Sequence, residues 1–439
     1  MHRVLACQLA ATALLAATPP PEFHLHEFEK RVLTQEFWAE GIHAADFNRD
    51  GHTDVVCGPY IYFGPDFSRR FAFAPATQSF ERTRADGSRE VLPGFEGALG
   101  SRNAYADVFL TFTGDFNGDQ WPDILHLPHP GGPARWYENP RKPDVPWPSH
   151  LALEPTDGES PGLADITGDG RPELICFSGG RLGYAEFNPR QPHRPWTFVP
   201  VSPPGDWGRY THGLGWGDIN GDGRTDLLEK DGWWEQPPSL EGRPLWKRHP
   251  APFGRGGAQM LVFDVNGDGR NDVVTALHAH EYGLAWFEQI RSGHEISFRP
   301  HLIIGEQEAG NPYGVRFSQA HALAAADFDR DGLTDFVTGK RFWAHGPTGD
   351  PEPNAPAVLY WFRLVRPSDG SLPFFEPHLV DRDSGVGTQV TVLDLDANGW
   401  PDILVGNKKG AFVFLHRVRT VSRDEWEARQ PARIVPHKR

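Results

Sequence analysis

The stretch GLGWGDINGDGRTDLLEK, residues 213–230, decides the fold. Its centre, Asp218 to Asp226, puts oxygen-bearing side chains at positions 1, 3, 5 and 9 of a nine-residue loop. Oxygens at that spacing can converge on one hard cation. A carbonyl at position 7 can add a ligand, and Gly223 at position 6 permits the sharp turn. This is the first part of an EF-hand loop, without its Glu at position 12 and without helical flanks. Small and apolar residues precede the loop and Leu227-Leu228 follow it, so it reads as a turn between two strands.

Six further copies lie along the chain: DFNRDGHTD (46–54), DFNGDQWPD (115–123), DITGDGRPE (165–173), DVNGDGRND (264–272), DFDRDGLTD (327–335) and DLDANGWPD (394–402). Their starts are 69, 50, 53, 46, 63 and 67 residues apart, the signature of a repeat architecture. The calcium ligands expected are Asp46, Asn48, Asp50 and Asp54; Asp115, Asn117, Asp119 and Asp123; Asp165, Asp169 and Glu173; Asp218, Asn220, Asp222 and Asp226; Asp264, Asn266, Asp268 and Asp272; Asp327, Asp329, Asp331 and Asp335; and Asp394, Asp396, Asn398 and Asp402. Copies that depart from the pattern, with Gln120, Thr167 or Asn398, are the ones an Asx-turn alone could explain.

Charge agrees with a cation inventory. The net charge is -15, and setting aside the 22 loop acids leaves 36 acids against 43 Lys and Arg. Seven Ca²⁺ would bring the chain close to neutrality. An acidic chain of this kind is no general nucleic-acid binder.

Each repeat extends beyond its loop. A small, apolar strand precedes it (HAADF, AQMLVFDV, HALAAADF) and a second strand follows (TDVVCG, NDVVTAL). An aromatic third strand (ARWYENP, GWWEQPP, LAWFEQI, VLYWFRL) and a fourth (WTFVPV, SFRPHLI, FEPHLV) complete the unit. Seven units of four strands predict an all-β fold, a seven-bladed β-propeller with its calcium loops between first and second strands. With 48 Gly and 41 Pro in 439 residues, many short strands and turns are expected rather than a helical bundle. The last unit lacks a convincing fourth strand, and Phe23 to Leu33 is expected to supply it and close the ring. A short helix is expected over 424–430, and insertions near 71–105 and 343–356.

Residues 1–17 read as a secretory signal: a basic start, an apolar run from Val4 to Ala17, then Thr18 and three prolines. The propeller then spans 22–418 and a tail 419–439. A secreted or periplasmic monomer without a transmembrane segment is expected. Cys57 and Cys176 each stand eleven residues after the first Asp of a loop, in non-adjacent units. They are expected as unpaired core residues, because a disulfide needs Cα atoms within about 7 Å.

The face opposite the calcium loops is rich in titratable groups. Strand entries contribute Glu40, His43, Arg209, Tyr210, His212, Gln259, His321 and Gln389. Second-to-third connections contribute His126, His129, His278, His280, Tyr282, Lys340, Arg341, His345 and Lys408. His212 and His321 both precede their loop Asp by six residues and should stand at equivalent radius. His278 and His280, with His212 or His321, could hold a second divalent metal; binding of sugar hydroxyls by the same side chains is the alternative.

The loop pattern DxNxDGxxD within such units resembles the FG-GAP and VCBS repeat family. The segments TGKRFWAHGPTGDPEPNAPAVLYWF (Thr338 to Phe362) and HALAAADFDRDG (His321 to Gly332) look like the propeller part of aldos-2-ulose dehydratases, which act on 1,5-anhydrofructose. That resemblance implies a metal-supported elimination from an oxidised sugar; the additional cupin-like domains of the fungal enzyme have no room here. For such a reaction His321 is the expected base, Tyr210 the acid, and Arg209 or Arg341 the charge clamp. A non-catalytic propeller that binds glycan or protein is the competing expectation. A hydrolase would need a pair of carboxylates flanking the pocket, and beyond Glu40 and Glu159 few acids on that face are available.

Overall fold

The computed structural model describes residues 22–142, 144–307 and 311–434. The signal reading at 1–17 lies outside them. The described chain is all-β apart from one helix, Arg423–Arg429, which Ser422 caps at its N-terminus.

The strands form seven four-stranded antiparallel units. The first strands are Ile42–Ala45, Val108–Gly114, the second half of Ser149–Ala164, Leu214–Gly217, Gln259–Phe263, Ala320–Ala326 and Val390–Leu393. Ser149–Ala164 is long because it is the fourth strand of unit 2 and then, after an irregularity between Asp157 and Gly162, the first strand of unit 3. Unit 7 takes its fourth strand from the other end of the chain: Phe23–Thr34 pairs antiparallel with Gly410–Val421 from Phe23↔Val421 to Thr34↔Ala411. The insertion after unit 1 carries its own hairpin, Ser79–Thr83 with Arg89–Pro93.

Second strands such as Asp54–Cys57 and Glu173–Ser178 are buried along their whole length. Successive side chains on a strand point to opposite faces, and here both faces meet a neighbouring unit. Val55 packs with Leu404 and Val413 of unit 7, while Val56 packs with Ile124 and Trp147 of unit 2. Among the described residues the hydrophobic core is accordingly divided into seven clusters, each between two units: 1–2, 2–3, 3–4, 4–5, 5–6, 6–7 and 7–1. Cys57 and Cys176 are buried in two of these clusters with free thiols.

At the centre the first strands are tied by side chains. Gln389 accepts the Thr111 N–H (2.9 Å) and donates to the Thr111 carbonyl (2.8 Å). Gln259 accepts the Leu323 N–H (3.0 Å) and donates to the Thr388 carbonyl (3.1 Å). These two residues of the strand entries therefore hold the units together. His43 and His126 lie within strands, His43 against Thr113 and His126 between Phe73 and Tyr137.

Candidate functional site

The nine-residue loops occupy one end of the strands. In each of them the ninth residue is a buried carboxylate whose oxygens accept backbone N–H groups. Asp226 accepts from Ile219 and Gln236, both at 2.9 Å, and Asp54 accepts from Phe47 (3.0 Å) and Gly64 (2.9 Å). Asp123, Asp272, Asp335 and Asp402 repeat the arrangement. Among the described residues Glu173 accepts only from Ile166 and Thr167 of its own loop start. In the other six loops the ninth carboxylate thus ties the loop start to the neighbouring strand. Burial raises its pKa, to about 7 for Asp226 and about 8 for Asp335.

Positions 1, 3 and 5 lie nearer the surface. The first Asp folds back on the turn: Asp218 accepts N–H groups from Gly221, Asp222 and Gly223. Oxygens of Asp165, Asp169 and Glu173, and of Asp327, Asp329 and Asp335, lie within 4.8 Å of one another, a separation a hard cation can bridge. In six loops an arginine also meets one of these acids: Arg141 on Asp119, Arg171 on Asp169, Arg224 on Asp222, Arg270 on Asp268, Arg363 on Asp329 and Asp331, and Arg417 on Asp396. The first loop has no such arginine among the described residues.

The other end of the strands carries a buried polar centre. Glu40 comes from the entry to unit 1, Glu159 from the bulged part of Ser149–Ala164, and His212 from the entry to unit 4. His280 follows the second strand of unit 5, His321 lies in the first strand of unit 6, and Arg341 follows that unit's second strand. Gly256, at φ +90°, lets the unit 5 entry pass close to the His212 carbonyl, where a Cβ would come within 2.5 Å.

The Arg341 side chain is 2 % exposed; its Nε donates to Glu40 Oε2 (2.7 Å) and its Nη1 lies 3.3 Å from Glu159 Oε2 and 2.9 Å from His321 Nε2. Glu159 Oε2 is also 3.3 Å from His321 Nε2 and 3.6 Å from His212 Nε2. Burial alone would raise the Glu159 pKa, but His212, His321 and Arg341 hold it well below the ordinary range. The His212, His280 and His321 rings approach edge to face with centroids 5.0 to 5.3 Å apart. Burial, with Arg341 and the neighbouring rings, keeps His321 neutral far below its usual pKa; burial and His212 bring His280 to about 3.

One nitrogen on each ring, His212 Nε2, His280 Nδ1 and His321 Nδ1, is buried and has no hydrogen-bond partner among the described residues. Ligating nitrogens of the three rings lie within 4.8 Å of one another. Three imidazoles whose nitrogens converge, each with one buried nitrogen lacking a hydrogen-bond partner among the described residues, are a donor set suited to a divalent transition metal. The residues present therefore fit a metal ion.

The sequence-expected residues divide at this centre. His212, His280, His321 and Arg341 come together. His278 turns away: its Nδ1 accepts the N–H groups of His280 and Glu281. Tyr210, 52 % exposed, sets its ring edge-on to His129, and no hydrogen bond or ring contact joins it to the three histidines among the described residues. Arg209 packs beside Gly131 on the same outer loop. Sequence reasoning overlooked Asp350, whose Oδ1 lies 2.8 Å from His345 Nδ1. Its only signal was its place five residues after a histidine inside an insertion. Lys408 is buried nearby, donating to Asn103 and, at 2.7 Å, to the Trp343 carbonyl; burial lowers its pKa to about 8.

Residues 115–176 and 264–338 match the FG-GAP-like repeat. No curated protein matches the chain significantly. Among solved structures, the chain is similar to an Agrocybe aegerita lectin described as recognising non-reducing terminal N-acetylglucosamine (14 % identity, 90 % of this chain and 85 % of that one, TM-score 0.43). It is also similar to rhamnogalacturonan lyase YesW (13 %, 91 % and 73 %, TM-score 0.38) and to the V. cholerae biofilm matrix protein Bap1 (10 %, 93 % and 92 %, TM-score 0.38). No helix among the described residues is long and apolar enough to cross a membrane.

Proposed function

We propose that this protein is a secreted or periplasmic carbohydrate-active lyase or dehydratase that performs metal-assisted β-elimination on an oxidised sugar or uronate. The scaffold is read as a closed seven-bladed propeller with calcium in its acidic loops. Seven units in an open row would have six interfaces; seven hydrophobic clusters, the last between units 7 and 1, support closure.

The observation that carries the functional reading is the convergence of His212, His280 and His321, each with a buried unpartnered nitrogen. These residues would hold the metal, with Glu159 as the neighbouring carboxylate that offsets its charge. A metal there would polarise a sugar carbonyl or carboxylate and so acidify the neighbouring C–H. Arg341 is committed to Glu40 and Glu159 and buried with them; its role is to keep the centre's charges balanced rather than to clamp a substrate.

A binding propeller is the second reading. It draws on Tyr105, from the first insertion, which donates to the Ala344 carbonyl of the second (2.9 Å), so the two insertions meet beside this face and narrow access to it.

The deciding experiment follows the ultraviolet absorbance of an unsaturated carbonyl product during incubation with 1,5-anhydrofructose and, separately, with uronate polysaccharides, with and without added divalent metal. A metal-dependent rise that is lost in His212→Ala supports the lyase. No rise with any of these sugars, together with retention of a glycan on an array, supports the binding reading instead.

A further inference from the structure

We propose that His345, oriented by Asp350, is the proton-transfer residue of this site; the inference rests on the eliminating reading above. Asp350 is buried, with a side chain 3 % exposed. Its Oδ1 lies 2.8 Å from His345 Nδ1, and its Oδ2 accepts the backbone N–H of His345, also at 2.8 Å. Two bonds from one buried carboxylate fix the ring's rotation and place the imidazole proton on Nδ1. Nε2 has no hydrogen-bond partner among the described residues, so its lone pair is available.

Exposure separates this histidine from the others. The His345 side chain is 50 % exposed, His280 18 %, His212 14 % and His321 0 %. A general base has to come within hydrogen-bond reach of the proton it takes. His321, enclosed by Arg341, Glu159 and two other rings, offers a substrate no approach. His345 offers one, and its ring centroid is 4.2 Å from that of His280, at the edge of the three-histidine centre. The base therefore stands beside the residues that would hold the metal, on the solvent side. Tyr210, the other exposed candidate, lies against His129 instead.

The step balances with one residue. His345 Nε2 takes the proton from the carbon next to the sugar carbonyl or carboxylate. The C–H electron pair becomes the new C=C bond, and the C–O bond at the β-carbon breaks with its electrons on oxygen. His345 then returns the proton to that oxygen, releasing an alcohol or water.

The test uses the full chain with His345→Gln and Asp350→Asn, measured on 1,5-anhydrofructose and polyuronate. Metal per chain and acylation of His345 by diethyl pyrocarbonate, read by mass spectrometry, are followed in parallel. His345→Gln is expected to lower kcat about 10²–10⁴-fold with KM and metal content unchanged. Asp350→Asn is expected to lower kcat without changing KM and to slow acylation of His345. Unchanged kcat in His345→Gln, or loss of a metal equivalent with that substitution, overturns the inference while the lyase reading stands. Acylation of His345 at the same rate in Asp350→Asn removes Asp350 from it. A wild type that eliminates from neither sugar, with or without metal, overturns the lyase reading and this inference together.

Discussion

Arg341 is buried between Glu40 and Glu159, at 2.7 and 3.3 Å. Removing one partner of such a network leaves uncompensated charge inside the protein and costs about 3–5 kcal/mol. Arg341→Leu is expected to lower the unfolding free energy in urea by that amount, whatever the chemistry of the site. Arg341→Lys is expected to recover only part of it, because a single ammonium lacks the fork that reaches both carboxylates. His126 gives a second prediction at this scale. Burial without a hydrogen-bond partner on Nε2 lowers its pKa from about 6.5 to about 3. Because the folded value is the lower one, the unfolded chain binds the extra proton, and stability falls as pH drops below about 6.5. At pH 5 this one residue costs about 2 kcal/mol. His126→Phe is expected to flatten the fall in stability between pH 7 and pH 5 by that amount; an unchanged slope contradicts it. Much at this scale was legible in the sequence: His212 and His321 share an offset from their loop Asp, and that offset places their rings 5.0 Å apart. What escaped was long-range partnership. Glu40 and Arg341 are 301 positions apart, and nothing local marks them as a pair. His278 and His280 looked equivalent because alternate residues of an extended segment share a side; the turn that His278 caps with its own ring separates them.

Two struts recur among the four-stranded units, the second of them in units 2, 4 and 5. One is the ninth loop carboxylate. Asp226→Ala would leave the buried N–H groups of Ile219 and Gln236 without acceptors, at about 1–3 kcal/mol for each. The expected result is a lower urea midpoint and faster amide exchange at those two residues. The other strut joins third and fourth strands: Trp136 with His150, Trp233 with His249 and Trp286 with His301 lie ring against ring at 4.7, 4.0 and 4.2 Å. In each case the histidine also meets a glutamate two residues after the tryptophan, Glu138, Glu235 or Glu288. The loops were easy to read because every expected ligand lies within nine residues. The Trp–Glu–His strut was not, because its histidine follows at variable distance. The ninth acid also has a structural duty that its position in a ligand pattern does not reveal.

At the scale of the molecule, the seventh unit depends on a strand borrowed from the far end of the chain. Phe23–Thr34 pairs along nearly its whole length with Gly410–Val421. Deleting residues 22–34 is expected to expose the edge of Gly410–Val421, lower Tm and promote association of chains through that edge; a monomer with unchanged Tm contradicts a strand-closed ring. The repeat period made the number of units readable from sequence, and the missing last strand pointed to the pairing of Phe23–Thr34 with Gly410–Val421, whereas the meeting of the two insertions, through Tyr105 and Ala344, depended on tertiary packing that no period encodes. The calcium proposed for the loops is tested at the same scale. Its removal by chelator is expected to lower Tm by many degrees, because clustered carboxylates repel one another once the cation is gone. An unchanged melting curve in excess chelator would defeat calcium in the loops.

The central claim is that His212, His280 and His321 form a metal centre distinct from those loops. Its most direct measurement is elemental analysis of chelator-stripped protein reloaded with calcium and a panel of divalent transition metals, for the wild type and for His212→Ala and His280→Ala. The account predicts one transition-metal equivalent per chain in the wild type, absent from both variants, with calcium content unchanged. Equal transition-metal content in all three proteins, or none in any, would contradict it.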